Sequence, residues 1–189
     1  VPDHKTLILD GLQFCAAKSD LIFITGGLGP TTDDFTRDLI STWSNLKMDF
    51  DAETWSYIQE RLRTRDLAAE DFQKQQCFFP KSSKILKNSA GTAHGFYLFA
   101  NNKHLFALPG PPREIEAIWN EHIQPWLAEL TKDIDPHITL SWDILGKSES
   151  ELAKMTESAL AGSDLEIGYR VHKAYVEVKL SFFQTKQKN

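Results

Sequence analysis

Apolar residues in the first fifty positions follow helical spacing and then strand-like spacing. Between residues 4 and 18 they recur every three or four positions, which predicts a helix. Four consecutive apolar residues at 21–24 predict a buried strand. Helical spacing then returns and predicts a second helix from about Asp33 to Trp43, with Thr31 or Thr32 as its N-cap residue.

The middle of the chain changes from helical patterns to a hairpin pattern. We predict a helix that begins near Asp51 and a more polar helix over 68–76. A turn-rich segment follows, and the apolar runs at 96–100 and 104–108, joined by Asn101-Asn102-Lys103, predict a β-hairpin. The first two-thirds of the chain therefore mixes helices with at least three strands.

A polar, turn-like stretch at 133–136 separates two groups of predicted elements. Before it, a helix that begins near Arg113 is interrupted at Pro125. After it, the pattern predicts a strand, a helix and two strands, over 138–144, 148–160, 165–169 and 174–183. We therefore expect two domains, 1–132 and 133–189.

Composition and charge exclude several classes of protein. The net charge is -5 and the sequence has no dense run of Lys or Arg, which argues against nucleic-acid binding. No apolar run approaches the roughly 20 residues that span a bilayer, so we expect no membrane insertion. Cys15 and Cys77 lie in separate segments, as expected for two buried, reduced thiols of a cytoplasmic protein. His94, His104 and His122 lack metal-ligand spacing and are expected at surface or loop positions.

The segment 25–34, Thr-Gly-Gly-Leu-Gly-Pro-Thr-Thr-Asp-Asp, joins the predicted strand to the next helix. A glycine-rich turn that opens a helix presents backbone N–H groups to phosphate. Asp33 and Asp34 would repel phosphate, so the segment predicts a hard cation such as Mg²⁺ between them, with a bound water as nucleophile. The alternatives are an ordinary tight turn and two acids that stabilise the first helical turn.

Two further loops occupy strand ends. Asn88 and Gly91-Thr92 lie in the turn before the hairpin, and Pro109-Gly110-Pro111-Pro112 follows it and leads to Glu114. Loops at strand ends of an open α/β sheet gather at one edge, where ligands bind. The loop at Asn88 fits a simple connector equally well. Glu114 fits either a third acid of the site or a charge that stabilises a helix N-terminus.

Three motifs carry a family resemblance. TGGLGPTTDDFT, NSAGTAHGF and LPGPPREI resemble the N-terminal domain of the competence/damage-inducible CinA family, which is related to the molybdopterin-binding domains of molybdenum-cofactor biosynthesis proteins. The resemblance runs from residue 1 to about 130. A weaker one continues through residues 146–150 and the final strands, which resemble the KH-like domain that follows in CinA proteins.

The resemblance implies an α/β fold, a three-layer α/β/α sandwich with a mostly parallel sheet, followed by a small α+β KH-like domain. The family's opening strand is absent before Val1, so we expect 1–132 to lack its first strand. We also expect the KH-like domain at 133–189 to be incomplete. His94 stands where the family usually has proline, and nothing resembles the amidohydrolase domain of many CinA proteins.

The activity implied by the resemblance is metal-dependent hydrolysis of the pyrophosphate in ADP-ribose or a similar nucleotide. Asp34, Asp33 and Glu114 are the implied catalytic residues, and Asp33, Asp34 and Asp3 the implied ligands of a divalent metal. The implied phosphate-binding residues are Gly26, Gly27, Leu28, Gly29, Pro30, Thr31, Asn88, Gly91, Thr92, Gly110 and Pro111.

Three other functions stay open from the sequence. The chain could hydrolyse FAD, bind a pterin or nucleotide phosphate without cleaving it, or act as an inactive scaffold for dimerisation. We expect a homodimer that binds a small-molecule nucleotide and neither nucleic acid nor membrane. The KH-like part has no Gly-x-x-Gly clamp and no basic patch, so RNA binding is not expected of it.

Overall fold

A computed structural model describes residues 4–184, and the chain divides into two compact units after Glu129. The helices of the first unit are α1 (Lys5–Lys18), α2 (Thr36–Ser44), α3 (Ala52–Arg63), α4 (Pro112–Ile118) and α5 (Gln124–Leu130), with a 3₁₀ segment at Asp71–Cys77 and a π-helical turn at Trp119–Ile123. Its strands are β1 (Leu21–Thr25), β2 (Met48–Phe50), β3 (Phe78–Pro80), β4 (Lys84–Leu86), β5 (Gly95–Ala100) and β6 (Lys103–Leu108).

A four-stranded sheet in the order β1-β6-β5-β4 organises the first unit. β1 pairs with β6 in parallel, whereas β6 with β5 and β5 with β4 are antiparallel, so the sheet is mixed. The predicted hairpin is confirmed: Asn101 and Asn102 form its turn with φ of 51° and 59°. Asparagine tolerates this left-handed conformation better than most residues, which favours a two-residue turn here.

Helices cover both faces of this sheet, and the predicted α/β fold is confirmed. Alternate residues of β6 point to opposite faces, as strand geometry requires. Leu105 and Ala107 join a buried cluster with Leu12 of α1 and Ile40 of α2. The intervening Phe106 and Leu108 join a second cluster formed with α4 and the π-helical turn, through Ile118 and Ile123.

Three predicted elements differ from the structure. The second helix begins at Thr36 with Phe35 as N-cap residue, because the Thr31 side chain is bound within the preceding turn. The predicted polar helix over 68–76 is wrong, since residues 71–77 form a 3₁₀ segment. The interruption predicted at Pro125 lies one turn earlier, as the π-helical turn; Pro125 itself lies in α5, where its missing N–H is accommodated.

The second unit contains β7 (His137–Leu145), α6 (Glu149–Ala159), β8 (Glu166–Val171) and β9 (Tyr175–Phe183). These bounds agree with the predicted order of strand, helix, strand and strand. The strands form an antiparallel sheet in the order β7-β9-β8, and Leu152 of α6 packs with Val176 and Val178 of β9. Its likeness to a KH domain stays a prediction.

The helices of residues 4–184 were considered as candidate membrane spans. None of them combines the length and the apolar content that a bilayer crossing requires.

Candidate functional site

The three predicted loops surround one pocket of about 330 Å³ in the first unit. Two of them meet because β1 and β6 are parallel neighbours, so the chain leaves both strands at the same edge of the sheet. The third precedes β5, which runs antiparallel to β6 and therefore begins at that edge. The N–H of Gly26 donates to the carbonyl of Leu108 at 2.9 Å, which joins the first loop to the end of β6. The pocket is lined by Gly26, Gly27, Leu28, Gly29, Pro30, Asp34, Gln76, Thr92, Ala93, Pro109, Gly110, Pro111 and Glu114.

The glycine loop is held against the start of α2. Gly26 and Gly27 have φ of +91° and +66°, a region that favours glycine. A Cβ on Gly27 would overlap the Thr36 hydroxyl. That hydroxyl donates to the carbonyl of Gly26 at 2.9 Å, and the Thr36 N–H donates to the carbonyl of Gly27 at 3.2 Å. The loop therefore needs glycine both for its backbone conformation and for its contact with the helix.

The Asp34 carboxylate is fixed at the edge of the pocket by Thr31. Its Oδ2 accepts a hydrogen bond from the Thr31 N–H at 2.9 Å and lies 2.6 Å from the Thr31 hydroxyl, whose single proton it shares with Asp33. A Cβ on Gly29 would overlap the same carboxylate, so the glycine gives it room. Thr31 does not line the pocket; the N–H and hydroxyl that sequence analysis assigned to phosphate are instead bonded to Asp34.

Asp33 lies at a different cavity from Asp34. It lines a larger, mainly apolar cavity of about 430 Å³ between α1 and β1, together with Cys15 and Phe23. A hydrogen bond from the Thr31 hydroxyl lowers the pKa of the Asp33 carboxyl. The two carboxylates that sequence analysis assigned to one metal ion therefore line different cavities, although both bind the Thr31 hydroxyl and so remain close together. The prediction of two buried thiols holds for Cys77 and is wrong for Cys15, which is exposed.

Asn88 holds Glu114 in place. Its side chain is fully buried, and its Oδ1 accepts from the N–H groups of Ala90 and Gly91, both at 2.9 Å. Its Nδ2 donates to the carbonyl of Ala93 at 2.9 Å and to Glu114 Oε2 at 2.7 Å. The expectation that Asn88 lines the pocket is therefore corrected: its hydrogen bonds are used to shape the loop and to aim a carboxylate.

Gly91 also acts through Glu114. It is absent from the pocket lining, and a Cβ built on it would overlap the Glu114 carboxylate. Sequence analysis assigned Gly91 to phosphate binding, but the structure uses it to admit the side chain of Glu114. Glu114 itself lines the pocket, as Asp34 does.

His94 lies in the same loop, one of the two positions predicted for it, but it is buried there rather than at the surface. Only 2% of it is exposed, and its Nδ1 accepts a hydrogen bond from the Asn88 N–H at 3.0 Å. Its ring packs against Tyr57 with centroids 4.6 Å apart. Burial, and then the nearby charge of Lys87, lowers the pKa of His94 to about 4. A neutral imidazole therefore supports the turn that holds Glu114.

We expect the free energy of unfolding to fall between pH 6.5 and pH 4 because of His94. In this window the unfolded chain, with an ordinary imidazole pKa near 6.5, binds a proton that the folded chain excludes. The contribution is constant above pH 6.5, and the loss reaches about 3 kcal/mol at pH 4. Urea denaturation at several pH values measures it.

His94→Asn is the control for that measurement, because asparagine offers an acceptor oxygen and does not titrate. The variant should show a flatter dependence of the unfolding free energy on pH. An equal slope in variant and parent would assign the pH dependence to other groups.

Two buried polar residues of the site were missed by sequence analysis. Arg37, 3% exposed, donates from Nη2 to the carbonyl of Leu28 at 2.8 Å. Burial lowers the pKa of its guanidinium to about 10, so it is still charged at neutral pH. The helical spacing could have indicated that Arg37 is buried, since Arg37 shares the inner face of α2 with Ile40. Gln76, 2% exposed, lines the pocket from the 3₁₀ segment and had no sequence signal.

The carboxylates of the pocket were tested as a metal site. Within residues 4–184, no group of three or more His, Cys, Asp or Glu side chains is arranged to hold a metal ion. Asp3, a predicted ligand, lies outside the described residues. Asp34 and Glu114 line one pocket, and two carboxylates suit Mg²⁺, which usually takes its remaining ligands from phosphate and water. The residues present therefore fit a cation that binds together with a phosphorylated ligand.

Comparison with known proteins covers both units. Residues 1–129 match the family model described as "Probable molybdopterin binding domain". A competence-damage inducible protein of Clostridium perfringens is 36% identical over 135 residues, which are 71% of this chain and 33% of that protein. One from Caldanaerobacter subterraneus subsp. tengcongensis is 33% identical over 181 residues, 96% of this chain and 43% of that protein. The chain thus spans a third to less than half of these relatives.

A solved structure is also similar. The crystal structure of the protein CinA from Thermoplasma acidophilum aligns with a TM-score of 0.58 and 25% identity. The alignment covers 65% of this chain and 72% of that one.

Proposed function

The chain belongs to the family of probable molybdopterin binding domains, and we propose that its pocket binds and hydrolyses the diphosphate of a nucleotide-diphosphate sugar such as ADP-ribose. The resemblance to CinA proteins that the three motifs indicated is confirmed. The observation that supports the proposal most directly is the meeting of a glycine-rich loop with the carboxylates of Asp34 and Glu114 in one pocket.

The binding part of the proposal rests on the glycine loop and on Arg37. Backbone N–H groups of a glycine-rich turn at a helix start bind phosphate oxygens well. The buried guanidinium of Arg37, bonded to the loop at Leu28, adds a fixed positive charge close by. Burial reduces screening of that charge by water, so it counteracts the repulsion between the ligand and the two carboxylates.

The chemical part of the proposal rests on the two carboxylates. Asp34 Oδ2 and Glu114 Oε2 accept hydrogen bonds from Thr31 and Asn88, so both groups are held in fixed orientations. We assign the other oxygen of each to a cation or a water molecule. A divalent cation held there with phosphate oxygens would neutralise charge that develops on the phosphoryl group.

In the proposed reaction, Asp34 orients a water molecule towards one phosphorus atom of the diphosphate. The water oxygen forms a bond to that phosphorus while its proton passes to the Asp34 carboxylate and then to solvent, and the bridging oxygen leaves with the other phosphoryl group. The loop N–H groups stabilise the growing negative charge, which is usually the largest electrostatic contribution to such catalysis. ADP-ribose and water would give AMP and ribose 5-phosphate.

The test is release of AMP from ADP-ribose in the presence of Mg²⁺ or Co²⁺. We expect turnover that depends on the metal and stops when EDTA is added. AMP release no faster than in a protein-free control would contradict the hydrolytic proposal. FAD, assayed in parallel, tests the alternative diphosphate substrate.

The family description favours a second candidate, a binding module for a pterin phosphate. The same loop would bind the phosphate and no bond would be cleaved. Thermal-shift profiles with ADP-ribose, FAD and a pterin phosphate separate the two. Stabilisation by the pterin phosphate alone, without AMP release from ADP-ribose, would select the binding module.

A further inference from the structure

One side chain of the pocket is buried without its full set of hydrogen bonds. The Gln76 carboxamide is 2% exposed, and its Nε2 reaches the Thr92 hydroxyl at 3.5 Å. Among the described residues, none donates a hydrogen bond to its Oε1. Buried carbonyl oxygens nearly always have a donor in folded proteins, because an unpaired one loses its hydration without compensation. Since Gln76 lines the pocket, the occupant of the pocket can supply the donor.

The position of Gln76 is firmly set by its neighbours. Gln75, the preceding residue, donates from Nε2 to the carbonyls of Asp34 at 2.9 Å and Thr31 at 3.2 Å. Cys77, the following residue, is fully buried. The 3₁₀ segment is therefore bound to the turn that carries Asp34, and Gln76 is placed beside the proposed phosphate site rather than on a mobile loop.

The chemistry of the pocket limits what the donor can be. A diphosphate that links two groups has no proton on its oxygens at neutral pH, so it accepts hydrogen bonds and does not donate them. The carboxylates of Asp34 and Glu114 are acceptors as well when they are ionised. Within the ligand, the donor must therefore come from the part attached to the phosphate, and a sugar carries hydroxyl groups at that place.

We propose that Gln76 recognises the sugar of the substrate, with its Oε1 accepting a hydrogen bond from a sugar hydroxyl next to the diphosphate. The proposal rests on the proposed function of the pocket and adds the group that selects the substrate class. The loop binds the phosphates, which all diphosphates share. Gln76 then distinguishes a diphosphate that carries a hydroxylated sugar from one that does not, because a buried acceptor left unpaired disfavours the wrong ligand.

The experiment compares ADP-ribose with dimethyl pyrophosphate, which carries one methyl ester on each phosphorus, as ligands of the parent protein and of Gln76→Met. Dimethyl pyrophosphate has no sugar and no proton on its oxygens at neutral pH. Methionine has a similar length and no acceptor oxygen. Binding is measured by calorimetric titration with EDTA present. EDTA removes divalent metal, which stops turnover and excludes metal-bound water as an alternative donor. For Gln76→Met we expect the Kd of ADP-ribose to rise about ten-fold and the Kd of dimethyl pyrophosphate to change less than about two-fold.

The ligand-free variant gives an independent readout. Its Tm should equal or exceed that of the parent, because the oxygen that is removed has no donor within residues 4–184. Gln124→Met, at an exposed position of α5 outside the pocket lining, is the matched control and should leave both affinities unchanged. Gln76→Leu repeats the comparison if the methionine variant does not fold.

Two results would overturn the inference. One is an equal loss of affinity for both ligands in Gln76→Met, which would assign the carboxamide to phosphate. The other is a parent protein that does not prefer ADP-ribose to dimethyl pyrophosphate, including one that binds neither. Failure of the proposed function looks different: the parent would bind ADP-ribose and release no AMP, and the role of Gln76 in recognition could still hold.

Discussion

Asp34→Asn is expected to lower metal-dependent cleavage of ADP-ribose by roughly 100-fold or more, while the protein stays folded. Asparagine retains an oxygen that accepts the hydrogen bond from the Thr31 N–H, so the turn is preserved. The negative charge that we assign to cation binding and water orientation is lost. The measurement is kcat/KM for AMP release with Mg²⁺, with Tm as the check on folding.

Asp33→Asn, at the adjacent position, is the matched comparison. Because Asp33 lines the apolar cavity between α1 and β1, we expect its replacement to change turnover by less than about three-fold. Asp38→Asn, on α2, is a second comparison variant, because it removes another negative charge near Asp34. If Asp33→Asn were as damaging as Asp34→Asn, the two aspartates would act together despite lining different cavities. Full turnover in Asp34→Asn would remove that residue from the mechanism.

Gly91→Ala is expected to have the second largest effect. The new Cβ would occupy the position of the Glu114 carboxylate, which must then move and break its hydrogen bond with Asn88. We expect the free energy of unfolding to fall by about 1–3 kcal/mol. Cleavage should fall by roughly ten-fold or more, since Glu114 leaves its place in the pocket. Urea denaturation and AMP release measure the two effects.

The cause of the Gly91 effect can be isolated with a double variant. In a Glu114→Ala background the carboxylate is absent, so adding Gly91→Ala should cost less than about 0.5 kcal/mol. Gly168→Ala is the control, because its Cβ would meet Lys179 at an ordinary 3.9 Å. Equal costs of Gly91→Ala in both backgrounds would show that Glu114 is not the group displaced.

Local patterns were enough to predict most elements of both units. The hairpin followed from two apolar runs around paired asparagines, and the second unit from alternating and helical spacing. The failures occurred where distant contacts decide the backbone. Residues 71–77 form a 3₁₀ segment whose Gln75 is bound to the turn at Thr31 and Asp34, more than forty positions earlier. No local propensity contains that contact.

The candidate site was predictable in part: the sequence indicated which loops form it, but not the contacts between distant residues. The rule that loops at strand ends gather at one edge of the sheet correctly brought together the loops of Gly26, Thr92 and Gly110. It could not assign side-chain directions within them. Asp33 and Asp34 are equivalent in the sequence, yet one lines the pocket and the other a different cavity.

The sequence by itself determined most helices and the longer strands, which loops carry glycine and acid, and which family the chain belongs to, because spacing and motif are local properties. It did not indicate the three-residue strands β2, β3 and β4. Only the tertiary structure decided that Asn88, Gly91 and His94 hold Glu114, and that Arg37 and Gln76 are buried beside the glycine loop. Those roles depend on hydrogen bonds between residues far apart in the chain and on the burial of their side chains away from water. Such interactions exist only once the chain has folded.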